Sequence, residues 1–415
     1  MRGVKRSPLV VTGLGAVSAW GWGVAPLWQG LLSGRTAIGS FDRFATAGHR
    51  TQVAAQAPEP PAAVRRALRG VARLSRADAY ALAAAREAWS AAAGASWPYE
   101  PAAVGVFFGG STAGMEETER YFASLLANAT SGPRPGVGRL ATQPINSPAD
   151  TVARHLGCGG PVLTVSSACA SGTQALGLAQ DALEAGDIDV ALVGGGDSLC
   201  QLTYAGFNAL RVVDEVPCRP FRAERTGMSL GEGAGVVVIE RAAAARARGV
   251  RPLAILAAAG NSCDAHHMTA PHPDGIGAAL AVGRALAAAG VAPDEVDFIN
   301  LHGTGTPLND ASEWQGFRTV FGDRAAAIPL TATKASVGHL LGSSGAIEAV
   351  ATVLCLHHGQ VHPTPPGGTP DAASPGRLVL GTPLPLPEAR VALSTSFGFG
   401  GANAAAVFRR VEEAE

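Results

Sequence analysis

The run Pro161-Val162-Leu163-Thr164-Val165-Ser166-Ser167-Ala168-Cys169-Ala170-Ser171-Gly172-Thr173 decides the fold. It opens as a short apolar strand at 162–165, crowds small residues into a turn, and starts a helix expected to span 172–185. Residues 329–356 repeat that order, with a strand at 330–332, a turn, and a helix at 345–356. Each unit is followed by a further strand that ends in glycines, at 190–196 and 391–401. The echo predicts a duplicated α/β chain whose halves, residues 1–247 and 248–415, meet in the arginine- and glycine-containing segment 246–252. Coincidence among common α/β units would leave a similar trace.

Further strands are expected at 9–12, 104–108, 190–193, 236–240, 298–301 and 391–394, and further helices at 76–92, 276–288 and 311–321. This alternation belongs to the α/β class. Several strands are apolar throughout, as in sheets covered on both faces. Residues 363–387 are proline-rich and read as a surface loop. Arg2, Lys5 and Arg6 before the apolar run 9–25 imitate a secretory leader. Gly13, Gly15, Gly21 and Gly23 interrupt that run, which reads better as a buried strand at 9–12 followed by a glycine turn. No uninterrupted apolar stretch reaches the ~18 residues of a membrane span.

Composition narrows the function classes. Of 415 residues, 47% are hydrophobic and 16% charged, which is too apolar for a disordered chain. A net charge of −1 without blocks of like charge lacks the basic footprint of a nucleic-acid binder. Six cysteines are too few for a disulfide scaffold, so a reducing, cytoplasmic setting is expected. Lys5 and Lys334 are the only lysines in a chain that otherwise uses arginine. Lysine offers a compact charge that arginine cannot replace, so Lys334 stands out.

Four segments could carry chemistry. Cys169 is expected at a helix N-terminus, where the dipole favours a thiolate and backbone N–H groups can hold an oxyanion. A buried small hydrophobe is the competing reading, and the one given to Cys158, Cys200, Cys218, Cys263 and Cys355. Asn300-Leu301-His302-Gly303-Thr304-Gly305-Thr306-Pro307 delivers a histidine from a strand end into a loop, where α/β sheets place ligands. Thr333-Lys334-Ala335-Ser336-Val337-Gly338-His339-Leu340 joins the lysine to a second histidine. Ser396-Phe397-Gly398-Phe399-Gly400-Gly401-Ala402-Asn403 is a glycine turn with two aromatics. Other patterns fail. Ser18 stands where a dinucleotide fingerprint needs its third glycine. His266, His267 and His272 match no zinc spacing, and no metal site is expected. Ser166 and Ser167 do not form a nucleophile elbow.

In this order and spacing the four segments resemble an elongating β-ketoacyl-acyl carrier protein synthase of the Cys-His-His type, over nearly the whole chain. The resemblance implies a thiolase-like α/β fold, two pseudo-repeated halves with stacked mixed sheets between helices. It implies decarboxylative Claisen condensation of an acyl thioester with malonyl-acyl carrier protein. Cys169 is the implied nucleophile, and His302 and His339 the groups that assist decarboxylation and stabilise the enolate. Lys334 is implied to set their electrostatics, with Glu313 as its counter-charge. Phe399 matches the gating aromatic, and its N–H with that of Cys169 would form the oxyanion hole. Thr304 and Thr306 match pantetheine-holding positions, and Met268-Thr269 resembles a segment close to the active site, so Thr269 joins that set.

No resident cofactor is implied, because 4′-phosphopantetheine arrives on the acyl carrier protein. The implied partners are that carrier protein and a second subunit, as a homodimer or as a heterodimer with a chain-length-factor-like chain. No nucleic acid or membrane is expected. Arg65, Arg66, Arg69 and Arg73 would, at helical spacing, offer a basic face for an acidic carrier.

Some positions depart from the pattern. Arg222 and Thr226 stand where housekeeping fatty-acid enzymes usually carry acids, and Leu301 replaces the more usual small residue before the histidine. The stretches 202–210 and 217–221 resemble ketosynthases of aryl polyene pathways more than housekeeping ones. A non-catalytic chain-length partner typically lacks the cysteine present here. A thiolase lacks the His-Gly-Thr-Gly-Thr-Pro and Gly-His pair. Starter-type synthases usually carry asparagine where His339 stands.

Overall fold

A computed structural model describes residues 7–71, 73–93, 97–127 and 136–412. The core of the first half runs β1 Leu9–Ser18, α1 Arg76–Ala93, β2 Val104–Gly109, α2 Ser147–Leu156, β3 Val162–Val165, α3 Ser171–Ala185, β4 Val190–Asp197 and β5 Gly233–Arg241. The second half repeats the series as β6 Ala254–Cys263, α4 Ile276–Ala289, β7 Phe298–Asn300, α5 Pro307–Phe321, β8 Pro329–Thr331, α6 Ser344–His358, β9 Val391–Phe397 and β10 Ala402–Arg409.

Strand order is β3-β2-β4-β5-β1, continued by β6-β10-β9-β7-β8. In each half three strands are parallel and the last two antiparallel, strand for strand. The halves join where Leu9, Val10 and Val11 pair antiparallel with Leu256, Ile255 and Ala254. Helices α1 and α2 cover the outer face of the first set of strands, and α4 and α5 that of the second. Helices α3 and α6 lie between the sets and touch strands of both. This is the thiolase-like layering. No helix among the described residues is long and apolar enough to cross a membrane.

The central position of α6 follows from its sequence. Every residue from Ser344 to Leu356 is buried, and a helix apolar on all sides has nowhere else to go. Its Ile347, Val350, Val353, Leu354 and Leu356 share one core with Leu9 and Val11 of β1, Val193 of β4 and Phe408 of β10. At ~1.5–3 kcal/mol for each large aliphatic side chain, this core is a major stabilising element. Helices α3 and α6 cross at their N-termini through glycines. A Cβ on Gly172 would stand 2.7 Å from Ala346 N, and one on Gly345 2.6 Å from Thr173 N.

The structure corrects several expectations. Residues 9–18 form one strand rather than a strand and a turn. Gly13 and Gly15 are present because α1 lies directly on them, where added Cβ atoms would meet Ala88 O at 2.1 Å and Ala84 O at 1.8 Å. Strands β6 and β10 were not expected, since their alanine-rich sequences have weak β-propensity. Burial, on both faces of β10 and mainly on one face of β6, overrides that weakness. Helix α5 begins at Pro307, not 311, with proline in its first turn, where the missing N–H costs nothing. The loop 363–387 is exposed at 366–370, yet it pairs back onto β8 through Arg377–Leu378.

Overpacking the crossing should be costly. Gly345→Ala is expected to destabilise the protein by about 1–3 kcal/mol, read as a lower midpoint in urea, because the backbone N of Thr173 as well as its hydroxyl must yield. Gly186→Ala, at an open helix end with φ 83°, should lose less, through backbone strain alone.

Candidate active site

Four strand ends supply the site. Cys169 follows β3, His302 follows β7, Lys334 and His339 follow β8, and Phe399 follows β9. Cys169 and His339 both occupy the link from a parallel strand to a central helix, the same place in the two repeats. Crossing α3 over α6 therefore brings them face to face. Reactive atoms of Cys169, His302 and His339 all lie within 4.8 Å of one another. The two imidazole rings meet edge to face at 5.6 Å.

The turn that carries Cys169 is strained and braced. Ala168 has φ 51°, a left-handed conformation that non-glycine residues seldom adopt. Ser171 Oγ holds it from both sides, accepting from Ser167 N at 2.9 Å and donating to Ala168 O at 2.5 Å. Burial pushes the Cys169 thiol up to about 11. The Lys334 charge and the backbone N–H groups of Phe399 and Cys169 oppose this without overcoming it. The resting group is thus a thiol, contrary to the helix-dipole expectation. Both N–H groups lie beside the sulfur.

Lys334 is fully buried. Its Nζ donates to His302 Nδ1 at 3.1 Å, to His302 O at 2.7 Å and to Glu348 Oε1 at 2.5 Å, so each N–H has an acceptor. This corrects the role expected for Glu313. The ion-pair partner of Lys334 is Glu348, from α6. Glu313 instead accepts from His302 N at 2.8 Å, Gly303 N at 2.9 Å and Thr395 Oγ1 at 3.0 Å, fixing the backbone of the histidine loop. Burial raises both carboxyls to about 7, against the Lys334 charge at Glu348 and against the Gly303 N–H at Glu313.

Both histidines are held well below the ordinary imidazole range, by burial first and the Lys334 charge second, with His339 adding to the effect at His302. They are neutral at pH 7. His302 Nδ1 accepts from Lys334 and His339 Nδ1 accepts from Leu341 N at 3.0 Å, so the ring protons are assigned to Nε2. His339 Nε2 is buried and has no partner. These are two neutral N–H donors beside a thiol.

A cavity of about 230 Å³ leads from these groups to the surface. Cys169, His302, His339 and Phe399 line its floor, and Thr269, Thr304 and Thr306 its wall, so the structure brings every expected site residue except Glu313 and Lys334 to one cavity. Those two lie behind it. Thr304 and Thr306 share a hydrogen bond of 2.9 Å. Phe399 packs on Phe207 with ring centres 6.0 Å apart. Arg211 is the one arginine or lysine in the lining. The basic face expected from Arg65, Arg66, Arg69 and Arg73 does not form. The helix there ends at Leu68, Arg69 is extended, and Arg73 has φ 60°.

The sequence reading missed Glu348, although a lone acid inside an apolar helix was a signal for it. It also missed Arg211, which lines the cavity, and Ser344, whose hydroxyl lies 2.8 Å from His339 Nδ1.

Comparison with known proteins matches residues 6–245 to the profile "Beta-ketoacyl synthase, N-terminal domain" and residues 253–367 to "Beta-ketoacyl synthase, C-terminal domain". The chain belongs to the β-ketoacyl synthase family. It is an acyltransferase that forms β-ketoacyl-acyl carrier protein in fatty-acid or polyketide chain extension. The 3-oxoacyl-[acyl-carrier-protein] synthase 2 of Staphylococcus aureus strain COL is 34% identical over 97% of this chain and 98% of its own. Among solved structures, the ishigamide ketosynthase/chain length factor superposes with a TM-score of 0.91 at 32% identity, covering 98% of this chain and 100% of that one. The AntDE:AntF structure, a type II PKS acyl-carrier protein in complex with its ketosynthase bound to the hexaketide, superposes with a TM-score of 0.87 at 28% identity, over 98% and 100%.

Arg222 and Thr226 take up two different places in the synthase. Arg222 turns to the backbone of a neighbouring loop, donating to Gly367 O at 2.9 Å and Gly368 O at 2.6 Å. Thr226 lies in the cavity wall.

The Lys334–Glu348 pair has a direct test. Glu348→Ala should destabilise the synthase by roughly 3–5 kcal/mol, because it leaves a buried ammonium short of one acceptor and of its counter-charge. Adding Lys334→Met should recover part of that loss, measured by urea denaturation as a double-mutant cycle.

Proposed function

We propose that Cys169 carries the acyl chain and that His302 and His339 stabilise the malonyl-derived enolate. In the loading step the Cys169 sulfur attacks the thioester carbonyl, the bond to the carrier thiol breaks, and that thiol leaves with the proton Cys169 gave up. The N–H groups of Cys169 and Phe399 receive the transient oxyanion. In the second step the bond from the malonyl carbon to its carboxylate breaks and carbon dioxide leaves. The electron pair enters an enolate whose oxygen accepts from Nε2–H of both histidines. The enolate carbon then attacks the acyl carbonyl, the bond from that carbonyl to the Cys169 sulfur breaks, and the departing thiolate takes a proton from water to restore the thiol. Neutral donors suit this chemistry, since decarboxylation itself supplies the carbanion and no strong base is needed. The observation that carries the reading is the convergence within 4.8 Å of a thiol and two neutral imidazoles at the floor of one threonine-lined cavity.

Thr269, Thr304 and Thr306 are suited to hold the 4′-phosphopantetheine arm that enters with the carrier protein, so no resident cofactor is required. A carrier protein and a second subunit, identical or chain-length-factor-like, are the partners this reading calls for. It is supported by the named assemblies of the two structural neighbours.

The two half-reactions separate the roles. Cys169→Ala should abolish acyl loading, read by intact-protein mass. His302→Ala and His339→Ala should still load but condense two to three decades more slowly, the loss usual for one donor to an oxyanion. Wild-type condensation in both histidine variants would refute the enolate assignment.

Within that reaction we favour conjugated chains of specialised polyketide or polyene extension over saturated fatty-acid chains. Thr226 in the cavity wall and Phe207, from the helix Gln201–Ala209, packed on Phe399 support this. In competition between a conjugated and a saturated acyl-carrier substrate of equal length, the conjugated one should be extended faster. Preference for the saturated chain would restore the fatty-acid reading.

A further inference from the structure

The turn that follows His339 holds a contact that neither the mechanism nor the motifs account for. Leu340-Leu341-Gly342-Ser343-Ser344 leads directly into α6. Leu341 has φ 53°, a left-handed conformation that a bulky residue adopts only under constraint. That conformation directs its N–H back onto His339 Nδ1, at 3.0 Å. Ser344, fully buried, places its hydroxyl oxygen 2.8 Å from the same nitrogen.

The direction of the second bond follows from the first. A backbone N–H can only donate, so His339 Nδ1 is an acceptor and the Ser344 hydroxyl must donate to it as well. Two donors on Nδ1 leave the ring proton on Nε2, the buried atom without a partner. The turn is anchored in its turn. Ser343 N donates to Asp197 Oδ2 at 3.0 Å and Ser343 Oγ to Leu340 O at 2.7 Å. Asp197 Oδ1 also takes the N–H groups of Ser111 and Thr112. The backbone of His339 is pinned by bonds to Ser229 O and from Gly231 N.

We propose that Ser344 is a positioning residue for condensation: with Leu341 N–H, its hydroxyl holds His339 in the Nε2–H tautomer and opposes protonation at Nδ1. A proton on Nδ1 would confront two donors at once, so each donor stabilises the neutral ring relative to the charged one. The charged and titratable groups around His339 are Lys334, His302 and Cys169, with Glu348 beyond Lys334 and Asp197 beyond Ser343. None of them touches Nδ1. The inference rests on His339 acting as a donor to the enolate.

The test compares Ser344→Ala, Ser343→Ala and His339→Ala with the wild-type enzyme, using acyl-carrier and malonyl-carrier substrates. Acyl loading by mass and condensation kcat and KM are measured across pH. For Ser344→Ala the expected result is unchanged loading, unchanged KM and a condensation kcat lower by about tenfold. Its acid limb should move to higher pH by about half a unit or more, because the ring has lost one of two donors that resist protonation. Ser343→Ala, which removes a hydroxyl from the same turn without touching His339, should keep the wild-type limb. An unmoved limb and wild-type kcat in Ser344→Ala, beside an inactive His339→Ala, would overturn the role of Ser344 alone. Parallel losses of loading and condensation would also overturn it, by showing a general structural defect. A fully active His339→Ala would instead overturn the enolate assignment on which it rests.

Discussion

The N-termini of α3 and α6 cross in the middle of the molecule at backbone distance, Gly172 over Ala346 and Gly345 against Thr173. Each helix is the continuation of a parallel strand from a different half, so this contact lets residues about 170 positions apart share one site. Cys169 enters from the β3 side and His339 from the β8 side. Both links contain a left-handed non-glycine residue, Ala168 at φ 51° and Leu341 at φ 53°. The strain is held by hydrogen bonds that also do chemical positioning, Ser171 bracing the cysteine turn and Leu341 N–H aiming His339. Duplicated architecture has been turned to unequal use: one repeat supplies a nucleophile and the other a donor.

Burial sets the electrostatics around that crossing. In a low-dielectric interior every group tends toward its neutral form. The thiol stays protonated at rest, both imidazoles stay neutral, and Glu313 and Glu348 are raised toward 7. Lys334 is the compact cation placed among them, and all three of its N–H groups are accepted. Its charge and the surrounding burial both discourage a second positive charge on the histidines. A planar guanidinium could not reach the same three acceptors from this position, a physical reason for lysine here in a chain that otherwise uses arginine.

Small residues let the layers approach closely enough for this to work. Alanine and glycine in β1, β6 and β10 bring helices onto sheet faces at backbone distance, at the expense of strand propensity. The apolar content is concentrated in the central layer, where α6 is buried all round.

Local patterns were sufficient for the α/β class, the repeated strand-turn-helix unit and the four chemical segments. Strand 162–165 and helix α3 are contiguous, and Cys169, His302, Lys334 and His339 each sit in a short motif whose composition differs from its surroundings. What the sequence could not determine is anything fixed by contact between distant segments. The alanine-rich β6 and β10 are strands only because sheets and helices enclose them, which no local propensity encodes. Glycines 13 and 15 read as a turn because the helix that needs their missing side chains lies some 70 residues away. Glu313 was the expected counter-charge of Lys334, yet the fold points it at the backbone of the His302 loop and delivers Glu348 to the lysine instead. The tautomer of His339 was likewise out of reach. It depends on a strained N–H and a serine hydroxyl that only the folded turn aims at one nitrogen.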